Sequence, residues 1–218
     1  MSDHLVTLPD AGAVRHDVLD LLALVGHFAA PDSYPPGRLE QELLARFAGE
    51  ASVAISDIAT WLSGAGIAIL DQKDLVAQAR AGNAAPLHTE LQAQNDRGVI
   101  QLLAVSSADQ LADAASGRPL TDQVAPCFLV RVGYSDADPY GYYYVGLPGL
   151  SHTQTRIPWQ NVLVAGITDV LSVQPPKPAA DLSAATDALH IMEQALATMQ
   201  AAHATVQAAL GIASEQSI

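Results

Sequence analysis

The chain has 218 residues, half of them apolar, so it can form one core of about 150 to 180 residues plus an appendage. Ten lysines and arginines against 23 aspartates and glutamates give a net charge of −13, without a basic cluster that could neutralise successive phosphates. These values argue against nucleic acid and membrane as partners, and no apolar run approaches the roughly 20 residues of a membrane-spanning helix.

The N-terminal stretch lacks the features of a secretory signal. Asp3 and Asp10 stand where such a signal has a basic region followed by an uninterrupted apolar one. The sequence therefore predicts a soluble protein that works in the cytosol or is exported without this kind of signal.

Helical periodicity dominates the first part of the chain. Apolar residues repeat at three-and-four spacing over 13–28 and again over 39–49, which predicts two helices separated by a proline-rich break. Ser56 is predicted to cap a third helix that ends at Gly64 and Gly66. The range 71–80 predicts another helix, and 85–96 a polar helix or a turn region.

Strand signals dominate the second part. The short apolar runs 67–70 and 99–105 are predicted strands, and CFLVRVGY (127–134) and YGYYYVGL (140–147) are predicted to form a hairpin across SDADP. The range 162–173 is predicted to pass from helix to strand. Helices followed by an antiparallel sheet predict an α+β fold instead of alternating βαβ units.

A proline-rich segment precedes the C-terminal helix. Residues 174–180 (QPPKPAA) contain three prolines, which favour an extended, semi-rigid spacer. We place the α+β domain at 1–173, the linker at 174–180 and a coiled-coil-forming helix at 181–213. Asp181 is the predicted cap of that helix, and Gly211 its predicted stop.

Nine residues of the C-terminal helix form a heptad seam, in which spacings of three and four alternate over about four repeats. The seam consists of Leu182, Ala185, Leu189, Met192, Leu196, Met199, His203, Val206 and Leu210. All except Ala185 and His203 are predicted oligomerisation residues, so the chain is expected to form a homo-oligomer. The alternative is that the helix folds back on its own domain. Flanking positions are mostly Ala, Thr or Gln and do not indicate the number of chains.

One cysteine is the main candidate for chemistry. Cys127 could act as a nucleophile with His152 as its base, but its place at the start of an apolar strand favours a small core residue, and His152 lies in a polar loop. A single cysteine allows neither an intrachain disulfide nor a Cys-based zinc site. No GxGxxG, phosphate-loop, HExxH or GxSxG motif is present, so no cofactor is predicted.

Other polar residues have simple structural explanations. Asp136 and Asp138 could bind calcium, but the loop lacks a later glutamate and suits a hairpin turn better. Tyr142 and Tyr144 should share one strand face, where strand packing is favoured over a sugar-binding platform. His16 and Asp17 are adjacent on a helix, so they point in different directions and are interpreted as solvated or capping residues.

The order of the motifs resembles that of papain-like cysteine peptidases of the bacteriocin-processing (double-glycine leader peptidase) type, over residues 13–173. RLEQELL (38–44) and DIATWLSGAGI (57–67) are similar to the second and third helices of that family. PCFLVRVGY (126–134), YYYVGLPG (142–149) and IPW (157–159) are similar to its later strands. The resemblance implies a papain-like α+β domain.

The catalytic positions implied by this resemblance hold other residues. Arg15, His16 and Asp17 stand near the place of the nucleophilic cysteine, Cys127 stands at the place of the histidine, and Gly146-Leu147-Pro148 replaces the orienting aspartate. The oxyanion-stabilising glutamine is also missing, because the first glutamine is Gln41. The resemblance therefore implies a degenerate member without a thiolate, base and orienter.

Two main hypotheses follow. The first is a non-catalytic structural or interaction protein, a degenerate peptidase-like domain presented on an oligomerising helix, whose partners are other copies of itself and other proteins of an assembly. The family resemblance implies that this assembly is a phage virion or another surface assembly. The alternative is an active cysteine hydrolase, a peptidase or cell-wall amidase, that uses Cys127. A third idea is a carbohydrate- or peptide-binding module that uses the tyrosine strand.

Overall fold

The computed structural model describes residues 3–7, 17–31, 38–47, 53–136, 138–150, 153–176 and 182–209. The chain divides into two compact units, Met1–Pro176 and Lys177–Ile218. Across the described ranges, none of the helices combines the length and the apolar character that crossing a membrane requires.

The described ranges form seven α-helices, seven strands and a short 3₁₀ helix at Ala108–Gln110. The helices are α1 (Asp17–Ala29), α2 (Arg38–Phe47), α3 (Ile55–Gly64), α4 (Lys73–Arg80), α5 (Ala85–Asp96), α6 (Trp159–Val164) and α7 (Leu182–Ala209). The strands are β1 (Asp3–Leu5), β2 (Ile69–Asp71), β3 (Ile100–Val105), β4 (Cys127–Ser135), β5 (Asp138–Val145), β6 (Gln154–Pro158) and β7 (Ile167–Val173).

The strands form one antiparallel sheet in the order β2-β7-β3-β4-β5-β6. β3 pairs with β4 from Gln101↔Arg131 to Val105↔Cys127, and β1 pairs with residues 133–135 of β4. β4 therefore has β5 on one side and both β3 and β1 on the other. The predicted α+β class with an antiparallel sheet is confirmed.

Helices cover both faces of the sheet in the first unit. α1, α2 and α3 pack on one face, and α4, α5 and α6 pack on the other. Successive residues of β4 alternate between the two cores, with Val130 and Val132 in the first and Cys127 and Leu129 in the second. Because both faces are buried, this strand is a nearly continuous apolar run in the sequence.

The end of α3 follows the prediction, but its start does not. The helix ends at Gly64, and Gly66 has φ +76°, a left-handed conformation that favours glycine. Its N–H donates to the Ser63 carbonyl at 3.0 Å. The predicted cap at Ser56 is wrong, because α3 begins one residue earlier at Ile55 and has no side-chain cap hydrogen bond.

Two short strands and one helix depart from the pattern expected from the sequence. β1 and β6 are three and five residues long, and both depend on pairing with a longer strand. The range 85–96 is a helix with buried Leu87 and Leu91, so the turn alternative is wrong there. β1 and β2 precede parts of the helical region, so the order of helices first and sheet second holds only in part. The predicted cap Asp181 and stop Gly211 lie outside the described residues.

Candidate functional site

Cys127 borders a cavity of about 710 Å³ beside the start of β4. The described lining comes from the first turn of α1, the segment entering α3, the end of β3 and the start of β7. It consists of Val18, Val53, Ala54, Ile55, Ser56, Ala104, Val105, Ser106, Pro126, Cys127, Phe128, Thr168 and Asp169. The lining is mainly apolar, and Asp169 is its one carboxylate among the described residues.

The surroundings of Cys127 favour the neutral thiol over the nucleophilic thiolate. Cys127 is a free, buried cysteine, and burial raises the pKa of its thiol to about 12. No histidine is among the described residues that line the cavity. A nucleophilic cysteine needs a thiolate near neutral pH and a base within hydrogen-bond reach. The described surroundings of Cys127 supply neither.

Of the other predicted catalytic positions, the structure describes Asp17 and the segment 146–148. His152, Arg15 and His16 lie outside the described residues, and Asp17 is the first residue of α1. After β5, the Gly146 N–H donates to the Phe128 carbonyl at 2.8 Å, and Leu147 is buried in the core. The segment 146–148 therefore has a packing role and contains no carboxylate.

The tyrosine strand is part of the core. Tyr142 packs with the α1–α3 side, Tyr143 packs with the α4–α6 side, and Tyr144 is partly buried beside Tyr142. The prediction that Tyr142 and Tyr144 share one face of the strand is confirmed. Because Tyr142 and Tyr143 are buried, the strand does not present these rings as an exposed sugar-binding platform.

His4 links β1 to two carboxylates. Its Nδ1 lies 3.1 Å from Asp96 Oδ1 and its Nε2 lies 3.0 Å from Asp136 Oδ1, while its ring stacks on Tyr134 with centroids 4.5 Å apart. The Tyr134 hydroxyl donates to Asp96 at 2.9 Å. Asp136 thus contributes to the attachment of β1, whereas the side chain of Asp138 lies outside the described part. No group of three or more His, Cys, Asp or Glu in the described ranges could hold a metal ion.

A row of five buried polar residues crosses the sheet on the face that α5 and α6 cover. Each residue is the direct cross-strand partner of the next, so all five side chains point to the same face. From β7 to β6 the row is Ser172, Gln101, Arg131, Tyr143 and Thr155, all of them buried. The helix and strand patterns of the sequence do not predict this row, and its one visible signal there is an arginine inside the apolar run CFLVRVGY.

The β7 end of the row is well hydrogen-bonded. Gln94 Oε1, on α5, accepts from Ser172 Oγ at 2.6 Å and from Gln101 Nε2 at 3.3 Å. Asn95 Nδ2 donates to Gln101 Oε1 at 3.2 Å, and Gln72 Nε2 donates to Ser172 Oγ at 3.1 Å. These contacts join α5 to the centre of the sheet.

The polar atoms in the middle of the row have fewer hydrogen bonds. Arg131 is 1% exposed, and its Nε donates to the Gly133 carbonyl at 3.5 Å, while its Nη1 has no hydrogen-bond partner among the described residues. The hydroxyl of Tyr143, which is 0% exposed, has no partner within the same ranges. The ion pairs found among the described residues do not include Arg131.

Two rings from the covering helices lie close to Arg131. Its Cζ lies 5.9 Å from the centre of the Trp159 ring, and His88 of α5 stacks on Trp159 with centroids 5.0 Å apart. Burial, and then the positive charge of Arg131, lower the pKa of His88. Burial also lowers the pKa of Arg131, although a guanidinium keeps its proton in proteins.

The second unit exposes large apolar side chains. Within α7, side chains are described from His190 to Gln207, and all of them are exposed. Met192, Leu196, Met199 and Val206 of the heptad seam are 69%, 57%, 70% and 55% exposed. The side chains of Leu182, Leu189 and Leu210 lie outside the described part. Self-association through this seam stays a prediction.

Comparison with protein-family models, curated proteins and solved structures found no match to this chain.

Proposed function

We propose that this protein is a non-catalytic structural or interaction component, in which a degenerate papain-like domain is presented on a self-associating C-terminal helix. The observation that carries the proposal is the exposed seam of α7. Its partners are expected to be other copies of the chain, together with other proteins of an assembly such as a virion.

The α7 seam supports association with a second copy. A helix of 28 residues is about 42 Å long, and its apolar side chains follow a heptad repeat that a second identical helix complements. Full burial of a Leu, Met or Val side chain contributes about 1.5 to 3 kcal/mol. Four such residues on each of two helices would together offset an association cost of about 4 to 15 kcal/mol.

The position and chemistry of the Cys127 cavity support a scaffold without catalysis. The cavity lies between the first turn of α1 and the start of β4, the two places where the family resemblance puts the nucleophile and the base. Val18 and Phe128 line it there, and the one thiol has a strongly raised pKa. This environment disfavours the alternative of an active cysteine hydrolase that uses Cys127.

A charge placed in the seam tests the self-association. The full chain has a mass of 22.8 kDa, so light scattering after size exclusion should report an integral multiple of that mass. Leu196→Asp combined with Met199→Asp should return the chain to 22.8 kDa, because buried unpaired carboxylates oppose helix pairing.

The matched control adds the same two charges outside the seam. Gln194 and Ala201 occupy the heptad position opposite the seam, so Gln194→Asp combined with Ala201→Asp should leave the oligomer intact. A wild-type chain that stays at 22.8 kDa at every concentration would rule out the self-association. Equal dissociation of both double variants would show that net charge, and not the seam, controls the assembly.

A further inference from the structure

One buried cation of this fold has no counter-charge among the described residues. Arg131 is 1% exposed, forms no ion pair among the described residues and has an unpartnered Nη1. Buried charges in native proteins are paired and hydrogen-bonded, because the loss of hydration is otherwise uncompensated. One negative charge at this place would compensate the lost hydration of Arg131.

Tyr143 carries a second donor without a hydrogen-bond partner among the described residues. It is the direct cross-strand partner of Arg131, and neighbouring strands are about 4.8 Å apart, so both side chains leave the sheet on the face that α5 and α6 cover. Burial raises the pKa of Tyr143, which keeps the hydroxyl protonated and able to donate. A guanidinium N–H and a phenol O–H are both donors, and an acceptor between them would satisfy both.

We propose that Arg131 and Tyr143 form a buried binding site for one small monovalent anion, of the size of chloride, bromide or nitrate. One negative charge balances one guanidinium, and the anion accepts hydrogen bonds from Arg131 Nη1 and from the Tyr143 hydroxyl. The anion must be small, because both residues are fully buried and Trp159 lies beside the guanidinium. His88 is the partly exposed group that stacks on Trp159.

The charge of the whole chain makes such binding easy to distinguish from general salt effects. A net charge of −13 repels anions from the surface, so unspecific accumulation of chloride is unfavourable. A stabilisation that depends on which anion is present, at constant ionic strength, would therefore come from a local site.

His88 supplies an independent readout. The charge of Arg131 is one cause of the lowered pKa of this histidine. A bound anion would offset that charge, so it should raise the pKa of His88. This shift reports the ion at the site and does not depend on any change in stability.

The experiment uses the full chain in sodium gluconate, whose anion is too bulky for the site, with increasing replacement by sodium bromide at constant ionic strength. We expect a saturable rise in the unfolding temperature and an upward shift of the His88 titration followed by NMR. Tyr143→Phe removes one charge-assisted hydrogen bond and should weaken the apparent affinity by about tenfold. Arg131→Met should abolish the response.

Arg97→Met is the matched control, because Arg97 is exposed and forms an ion pair with Glu90 at 3.3 Å, and its response to bromide should equal that of the wild type. If Arg131→Met does not fold, two other measurements test the proposal. They are the difference in bromide response between the wild type and Tyr143→Phe, and the shift of the His88 titration in the wild type. The proposal is overturned if bromide and gluconate give the same unfolding temperature and the same His88 titration. It is equally overturned if Tyr143→Phe responds to bromide like the wild type, because the anion would then act without the Tyr143 hydroxyl.

Discussion

Arg131 and Tyr143 are direct cross-strand partners on β4 and β5, both fully buried, and each has a polar atom without a hydrogen-bond partner in the part of the chain that the structure describes. The same row of side chains is densely hydrogen-bonded at its β7 end, through Gln94 and Gln101. The contrast places the chemically unusual point of this fold between β4, β5 and the helices that cover them. It does not coincide with the cavity beside the single cysteine.

The thiol of Cys127 should react slowly in the folded protein. Its pKa of about 12, against an ordinary value of 9.0, makes the thiolate about a thousandfold scarcer at pH 8. A chromogenic disulfide reagent should label the native chain at least a hundredfold more slowly than the chain in guanidinium chloride, where one thiol per chain should react. Fast labelling of the native protein would instead support an activated cysteine.

His88 should make the protein less stable in mild acid. Its folded pKa lies below the unfolded value of about 6.5, so around and below that pH the unfolded chain binds more protons than the folded one. The free energy of unfolding should therefore fall as the pH drops from 7.5 through 6.5, and should level off below the folded pKa. Urea titrations should show a smaller loss for His88→Phe, which keeps a ring against Trp159. An equal loss in both proteins would exclude His88 as the source.

The glutamine of the buried row should contribute to stability through its partners. Gln101→Leu removes hydrogen bonds with Gln94 and Asn95, each of which keeps another partner. We expect a loss of about 1 to 3 kcal/mol in the free energy of unfolding, measured by urea titration. The control is Gln78→Leu on the exposed face of α4, which should change stability by less than about 0.5 kcal/mol. Similar values for the two variants would contradict a structural role of the network.

Gly133 should be essential for the attachment of β1. A Cβ at this position would overlap the carbonyl oxygen of His4, which is backbone and cannot move aside while the pairing is kept. Gly133→Ala should therefore increase hydrogen exchange in residues 3–6 and cost about 1 to 3 kcal/mol of stability. Gly64→Ala is the control, since nothing lies within 4 Å of a Cβ there, and alanine favours a helix. Unchanged exchange in β1 for Gly133→Ala would contradict the register of this strand.

His203 should weaken the proposed α7 assembly. It occupies a seam position between Met199 and Val206, where a polar side chain lowers the stability of a coiled coil. His203→Leu should lower the dissociation constant by about tenfold or more, as measured by sedimentation equilibrium. The control Ala201→Leu, outside the seam, should have little effect on the dissociation constant. A weaker assembly after His203→Leu would argue against this seam.

Local sequence patterns were sufficient for much of the secondary structure. Three-and-four spacing located α1 and α2, and glycines marked the end of α3, because helix periodicity and left-handed conformations depend on nearby residues. The Ser/Asp/Pro turn located the β4–β5 hairpin for the same reason. The apolar context of Cys127 also indicated a core residue, and its buried thiol agrees with that prediction.

Only the tertiary structure decided where the unusual chemistry lies. Gln101 and Ser172 are far from Arg131 and Tyr143 in the sequence, and the four meet because the registers of β7, β3, β4 and β5 bring them into one row. The attachment of β1 to β4 depends in the same way on pairing between segments about 130 residues apart. Register and burial are properties of the whole packed sheet, so the helix and strand patterns of the chain could not reveal an arginine without a counter-charge among the described residues.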